Sequence, residues 1–89
     1  MPFVYIVRCA DGTLYTGWAV DVAARVKKHN ARRGAKYTRT RRPVKLIYSE
    51  EHATRAEAMR RERAVKRLPR ARKLALSQLS KRTKALRAR

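Results

Sequence analysis

Apolar and polar positions along the chain follow two different periods, and the switches between them mark the elements. Residues 3 to 8 (Phe-Val-Tyr-Ile-Val-Arg) are β-branched and aromatic, and strand character resumes at residues 13 to 18 after the turn pair Asp11-Gly12. This predicts a hairpin of two short strands. Asp21 then stands as the cap of a helix whose apolar positions Val22 and Val26 are four apart, and Gly34 offers a left-handed stop. The first helix is thus expected over about residues 22 to 33. Residues 35 to 43 are basic and polar, and a third strand is expected from Val44 to Tyr48. Thr54 followed by Glu57 forms a capping box for a helix running to about Arg67, where Pro69 interrupts and a last, basic helix with Leu74, Leu76, Leu79 and Leu86 follows. The order is strand, strand, helix, strand, helix, helix, an α+β domain over residues 1–67 with a basic C-terminal helix or tail over 68–89.

Composition narrows the possibilities. Fourteen of the apolar residues are Ala, which leaves larger side chains for one small core and argues against a ligand-enclosing cavity. The longest apolar run, Phe3 to Val7, is far too short to span a membrane, and nothing at the start reads as a secretory signal. A cytoplasmic, soluble protein is expected, nucleoid association included. One cysteine, Cys9, and two histidines, His29 and His52, cannot form an intrachain disulfide or a four-ligand Cys/His zinc site.

Charge changes the picture most. Twenty-five Lys and Arg against six Asp and Glu give a formal net charge of +19, and neither 22–49 nor 63–89 contains an acid. Such a field repels itself unless a polyanion is near, and nucleic acid is the expected partner.

Against that background a few residues stand out. Tyr5 and Tyr15 both fall at odd positions of the predicted hairpin and can share one sheet face. Arg25 and His29 are four apart on the first helix, and Glu62 occupies a position in the Ala58, Glu62, Val65 pattern where an apolar residue belongs. Taken singly these are a packing pair, a solvated arginine, a plain histidine and an ion-paired glutamate.

Taken together, Phe3-Val4-Tyr5, Tyr15-Thr16-Gly17, Arg25, His29 and Glu62 resemble the GIY-YIG nuclease domain over about residues 2 to 67, most closely its short single-domain bacterial members of the YhbQ-like type. Gly34 to Thr38 with Arg42-Pro43-Val44 is similar to the corresponding segment of Slx-type structure-specific nucleases. The resemblance implies a three-stranded antiparallel sheet flanked by helices and a divalent-metal-dependent endonuclease acting on phosphodiester bonds. Its substrate would be DNA in preference to RNA, branched, flapped or single-stranded. The alternative is a weakly active or inactive nucleic-acid-binding protein on the same scaffold. By position the catalytic group would be Tyr5, Tyr15, Arg25, His29 and Glu62, with Glu62 holding Mg²⁺ or Mn²⁺. Phosphates would be met by Gly17, Lys28, Arg32, Arg33, Lys36, Arg39, Arg41, Arg42, Lys66 and Arg70.

Overall fold

The computed structural model describes residues 1–87, with side chains through residue 78. Three strands, β1 (Phe3–Arg8), β2 (Leu14–Ala19) and β3 (Lys45–Glu51), form an antiparallel sheet in the order β2-β1-β3. Four helices accompany it: α1 (Val22–Asn30), α2 (Lys36–Arg39), α3 (Arg55–Lys66) and α4 (Arg70–Arg87). The α+β fold is the expected one, with one helical turn, α2, added where the sequence reads only as a polar connection. The hairpin turn closes with the Gly12 amide donating to the Cys9 carbonyl and the Cys9 amide to that of Thr13. Gly12 takes φ 86°, which glycine adopts without a Cβ penalty.

Because side chains alternate across a strand, β1 supplies two cores. Tyr5, Val7 and Cys9 pack with Ala19 and Val44, under Val22 and Val26 of α1. Val4 and Ile6 meet Ala58 and Val65 of α3 on the other side, where Leu14, Trp18, Leu68 and Leu76 join them. Leu68, Leu76 and the Ser77 hydroxyl, which donates to the Ile47 carbonyl, tie the start of α4 to the sheet. The Leu79 and Leu86 side chains lie outside the described residues. Across β3, Glu50 accepts from the Tyr48 hydroxyl, from Arg61 Nε and from His52 Nε2, fastening the strand to α3.

The caps at Asp21 and Thr54 form, each side chain accepting from a backbone amide three residues on; in the expected capping box the Glu57 carboxylate accepts from the Ala53 amide rather than from that of Thr54. The end of α1 differs. The helix stops at Asn30, and the left-handed residue is Arg32 (φ 66°) rather than Gly34. The Arg33 amide reaches back to the Lys28 carbonyl and the Arg32 amide to that of His29, so the last carbonyls are satisfied around Arg32. A non-glycine residue in this conformation carries a cost of about 1 kcal/mol. Arg32→Gly is therefore expected to stabilise the fold by about 1 kcal/mol, raising Tm by roughly 4–8 °C; differential scanning fluorimetry or calorimetry reads this directly.

Candidate active site

The register decides where the phenols go. Tyr5 lies opposite Gly17 and Val7 opposite Tyr15, so the two tyrosines share a face as diagonal neighbours rather than as a direct pair. Tyr5 is 1 % exposed and its ring lies over Gly17. A Cβ on Gly17 would sit 2.6 Å from the Tyr5 hydroxyl oxygen and 2.8 Å from its Cζ. Gly17, expected to meet phosphate, is instead buried and makes room for the phenol. Gly17→Ala is expected to overpack this contact and lower stability by about 1–3 kcal/mol, with the parental Tm and Tyr5–His29 geometry in a crystal of the variant as the contrary result.

Helix α1 brings His29, also 1 % exposed, onto the same face. Its Nε2 is 2.8 Å from the Tyr5 hydroxyl and its Nδ1 is 2.8 Å from the hydroxyl of buried Thr38 in α2. The Thr38 hydroxyl spends its single proton on the Ala35 carbonyl, which can only accept. It therefore receives Nδ1–H from His29, leaving Nε2 with a lone pair that accepts the Tyr5 proton. A chain of donors runs from Tyr5 through His29 and Thr38 to the backbone. Gly34 is part of this device, since a Cβ there would collide with the His29 ring and Cα. Sequence reasoning took Gly34 for a helix stop and missed Thr38. Nothing in a linear sequence marks a hydroxyl that meets an imidazole nine positions away through the α2 turn.

Around the buried pair stand the remaining groups. The Tyr15 ring meets His29 edge-on at 5.4 Å, with Tyr37 stacked on it at 5.8 Å and Arg41 over Tyr37 at 4.0 Å. Among the described residues no hydrogen bond involves the Tyr15 hydroxyl, nor does any side-chain hydrogen bond or ion pair involve Arg25, which is exposed. Burial pushes both phenols above their ordinary range. Glu62 pushes in the same direction and Arg25 opposes it. Burial, with Arg25 adding to it, holds His29 below its ordinary value. Lys66, beside both Glu62 and the Tyr15 ring, places Glu62 of α3 at the edge of this face, and Arg25 of α1 acts on the tyrosines and on His29 through its charge.

The residues expected to contact phosphate divide. Lys28, Arg33 and Lys36 are exposed. Lys66 is 5.8 Å from the Tyr15 ring centre and 3.9 Å from Glu62. Arg41 is held by Asp11 and the Tyr37 carbonyl, and Arg70 donates to the Gly12 carbonyl. Arg32, Arg39 and Arg42 line one cleft with Thr40.

As for a metal, no group of three or more His, Cys, Asp or Glu side chains gathers among the described residues. Among the described residues Glu62 is the carboxylate beside the phenols, partly exposed and met only by Lys66 at 3.9 Å. A single carboxylate of that kind fits a hard cation that keeps most of its waters, such as Mg²⁺ or Mn²⁺, and not a tetrahedral zinc.

The histidine state has a pH consequence. Folding holds His29 below the 6.5 of a free imidazole, so below about pH 6.5 the unfolded chain binds a proton that the folded one resists, and stability is lost as pH falls there. Above it this contribution is intact. Thr38→Val, which removes the Nδ1 acceptor, is expected to cost about 10- to 100-fold in any activity that uses Nε2 as acceptor, as outer partners of functional histidines do. Its pH profile should change and Thr38→Ser should restore it, while a parental profile in Thr38→Val would remove Thr38 from the positioning role.

The chain is similar to known proteins over most of its length. A family model described as the GIY-YIG catalytic domain matches residues 1–75. A UPF0213 protein of Staphylococcus aureus is 58% identical over 74 residues, covering 83% of this chain and 90% of the relative. The solution structure of a UPF0213 protein from Bacillus halodurans shares 46% identity at a TM-score of 0.56, covering 89% of this chain and 85% of its own. That of a protein from E. faecalis shares 39% at 0.57, covering 93% and 85%.

Proposed function

The chain belongs to the GIY-YIG family of nuclease domains, and on that premise we propose that it is a divalent-metal-dependent endonuclease that hydrolyses phosphodiester bonds in DNA. The observation that carries this reading is the buried Tyr5–His29–Thr38 chain, with the lone pair of Nε2 aimed at the phenol. A surface that only holds phosphates has no use for a proton acceptor behind a tyrosine.

Hydrolysis needs a base for water, stabilisation of the charge on the pentacovalent phosphorus, and relief of the leaving oxygen. Tyr5 takes the water proton as its own passes to Nε2 of His29, and the water oxygen bonds to phosphorus. The phosphorus–oxygen bond opposite breaks, and the departing oxygen takes a proton from solvent. An unaided phenolate does not persist here, because burial raises the Tyr5 pKa; the proton therefore moves along the existing hydrogen bond. Tyr15, its hydroxyl unbonded among the described residues, orients water or phosphate. Arg25, exposed and unpaired among them, offers its planar fork to the non-bridging oxygens. A divalent cation on Glu62 would supply Lewis-acid relief of charge and turn the field of that residue from one that raises the phenol pKa values to one that lowers them.

The test is cleavage of a labelled panel of single strand, duplex, flap, splayed arm, four-way junction and RNA by the purified protein. It is run with Mg²⁺ or Mn²⁺ and with chelator, beside Glu62→Ala prepared identically. Metal-dependent cutting by the parent alone supports the reading, and the preferred member names the substrate. Equal binding by both without cutting replaces it by a binding protein on a nuclease scaffold.

A further inference from the structure

We propose that the cleft lined by Arg32, Arg39, Thr40 and Arg42 receives the terminal phosphate of a nucleic-acid strand, so that the protein measures its substrate from a strand end. The inference rests on the reading of nucleic acid as substrate and adds a feature of it, namely a phosphomonoester.

Three independent observations converge on this cleft of about 530 Å³. The first is uncompensated charge. Among the described residues Arg32 and Arg39 have no side-chain hydrogen bond or ion pair, no acid lines the cleft, and the two acids that precede Glu50 in the chain are engaged elsewhere, Asp11 by Arg41 and Thr13, and Asp21 by the α1 cap. Three guanidiniums on one cleft repel one another until an anion enters. The second is a fixed arginine. Arg42 donates from Nε to the Arg39 carbonyl and from Nη1 to the Asn30 carbonyl, both at 3.1 Å. Its guanidinium is thereby oriented before any ligand arrives, with its remaining N–H groups unspent on protein among the described residues. The third is the backbone of Arg32, left-handed at φ 66° in a position that glycine fills at lower cost. Strain kept at a residue that lines a charged cleft points to a use for its side chain.

The stoichiometry of charge selects the ligand. An internal phosphodiester carries one negative charge, which one bidentate arginine matches. A terminal phosphomonoester carries close to two at neutral pH and three free oxygens, the acceptor set that several convergent guanidiniums complement. The volume lies in the range of small-molecule sites and leaves room for the terminal nucleotide behind its phosphate.

The experiment uses the full chain carrying Glu62→Gln in chelator, so that no strand is cut. Fluorescence polarisation then compares otherwise identical oligonucleotides bearing a phosphate on the 5′ end, on the 3′ end, or on neither. One phosphorylated polarity is expected to bind about tenfold tighter than the hydroxyl strand, the worth of a few charge-assisted hydrogen bonds. A diffuse basic surface sees one more phosphate among many and gives a ratio within about twofold. Arg32→Gly, which the backbone favours and which cannot fail through misfolding of that turn, is expected to bring the ratio near one while raising Tm, and Arg39→Ala to lower it as well. Equal binding of all three strands by the parent overturns the inference and leaves nucleic acid as substrate. Failure of every strand to bind overturns both. A ratio untouched by Arg32→Gly and Arg39→Ala puts the end-binding site elsewhere. Displacement of the strand by a nucleoside monophosphate at equal concentration makes the ligand a free nucleotide and overturns the strand-end assignment.

Discussion

Glu62→Ala is expected to lower metal-dependent strand cleavage by at least about 10³-fold, the scale of losing a principal source of transition-state charge stabilisation, while substrate binding is kept or slightly tightened. The stability cost is small. Glu62 makes one 3.9 Å contact with exposed Lys66, a pair of the kind worth about 0–1 kcal/mol at a surface. Removing the acid raises the formal charge from +19 to +20, which strengthens attraction to phosphate at low salt. The direction of the activity change is informative because two roles of Glu62 oppose each other. As a bare charge it raises the pKa of Tyr5 and of Tyr15. If that were its whole influence, the variant would ionise its phenols more readily and its rate would hold or rise. Loss of cleavage with binding intact identifies Glu62 as a ligand of the metal. A rate within a few-fold of the parent at saturating metal removes it from that role.

Tyr5→Phe is expected to cost about 10²–10⁴-fold in kcat, the usual worth of a positioned general base, with almost no change in volume. The variant leaves Nε2 of buried His29 without its donor, at a cost of about 1–3 kcal/mol, so Tm should also fall by several degrees. The two effects separate on the temperature axis. At a temperature where both proteins are fully folded, the stability loss is silent and the kinetic loss remains. A variant that cuts as fast as the parent there moves the base to Tyr15, whose hydroxyl has no protein partner among the described residues.

Much of the candidate site was legible because strand alternation and helical spacing are local rules. Odd positions placed Tyr5 and Tyr15 on one face, the four-residue step placed Arg25 near His29, and the break in the apolar pattern singled out Glu62. The caps at Asp21 and Thr54 followed from side-chain chemistry alone. What escaped depends on three-dimensional contact. Gly34 looks the same in sequence whether it ends a helix or clears space for an imidazole, and only the fold shows the second. Gly17 was assigned to phosphate for the same reason, when its missing Cβ serves Tyr5. The left-handed turn at Arg32 violates the preference that sequence reasoning relies on. The cluster of Tyr48, Glu50 and His52 around Arg61 did leave a signal, three polar or aromatic residues at alternate positions, which a search for period two would have found.

The position of the central strand has a consequence for how function fails. Tyr5 lies on β1, hydrogen-bonded on both sides and buried by two cores, so its amide belongs to the part of the chain that opens only with the whole domain. The imidazole it serves owes its tautomer to Thr38 on α2, a four-residue turn whose cap lacks a side-chain hydrogen bond. Local opening of so short a segment takes far less free energy than global unfolding. On warming, the Nδ1 partner of His29 is expected to be lost before Tyr5 leaves the sheet, so any activity that uses this hydrogen bond is expected to fall ahead of the melting transition and to return on cooling.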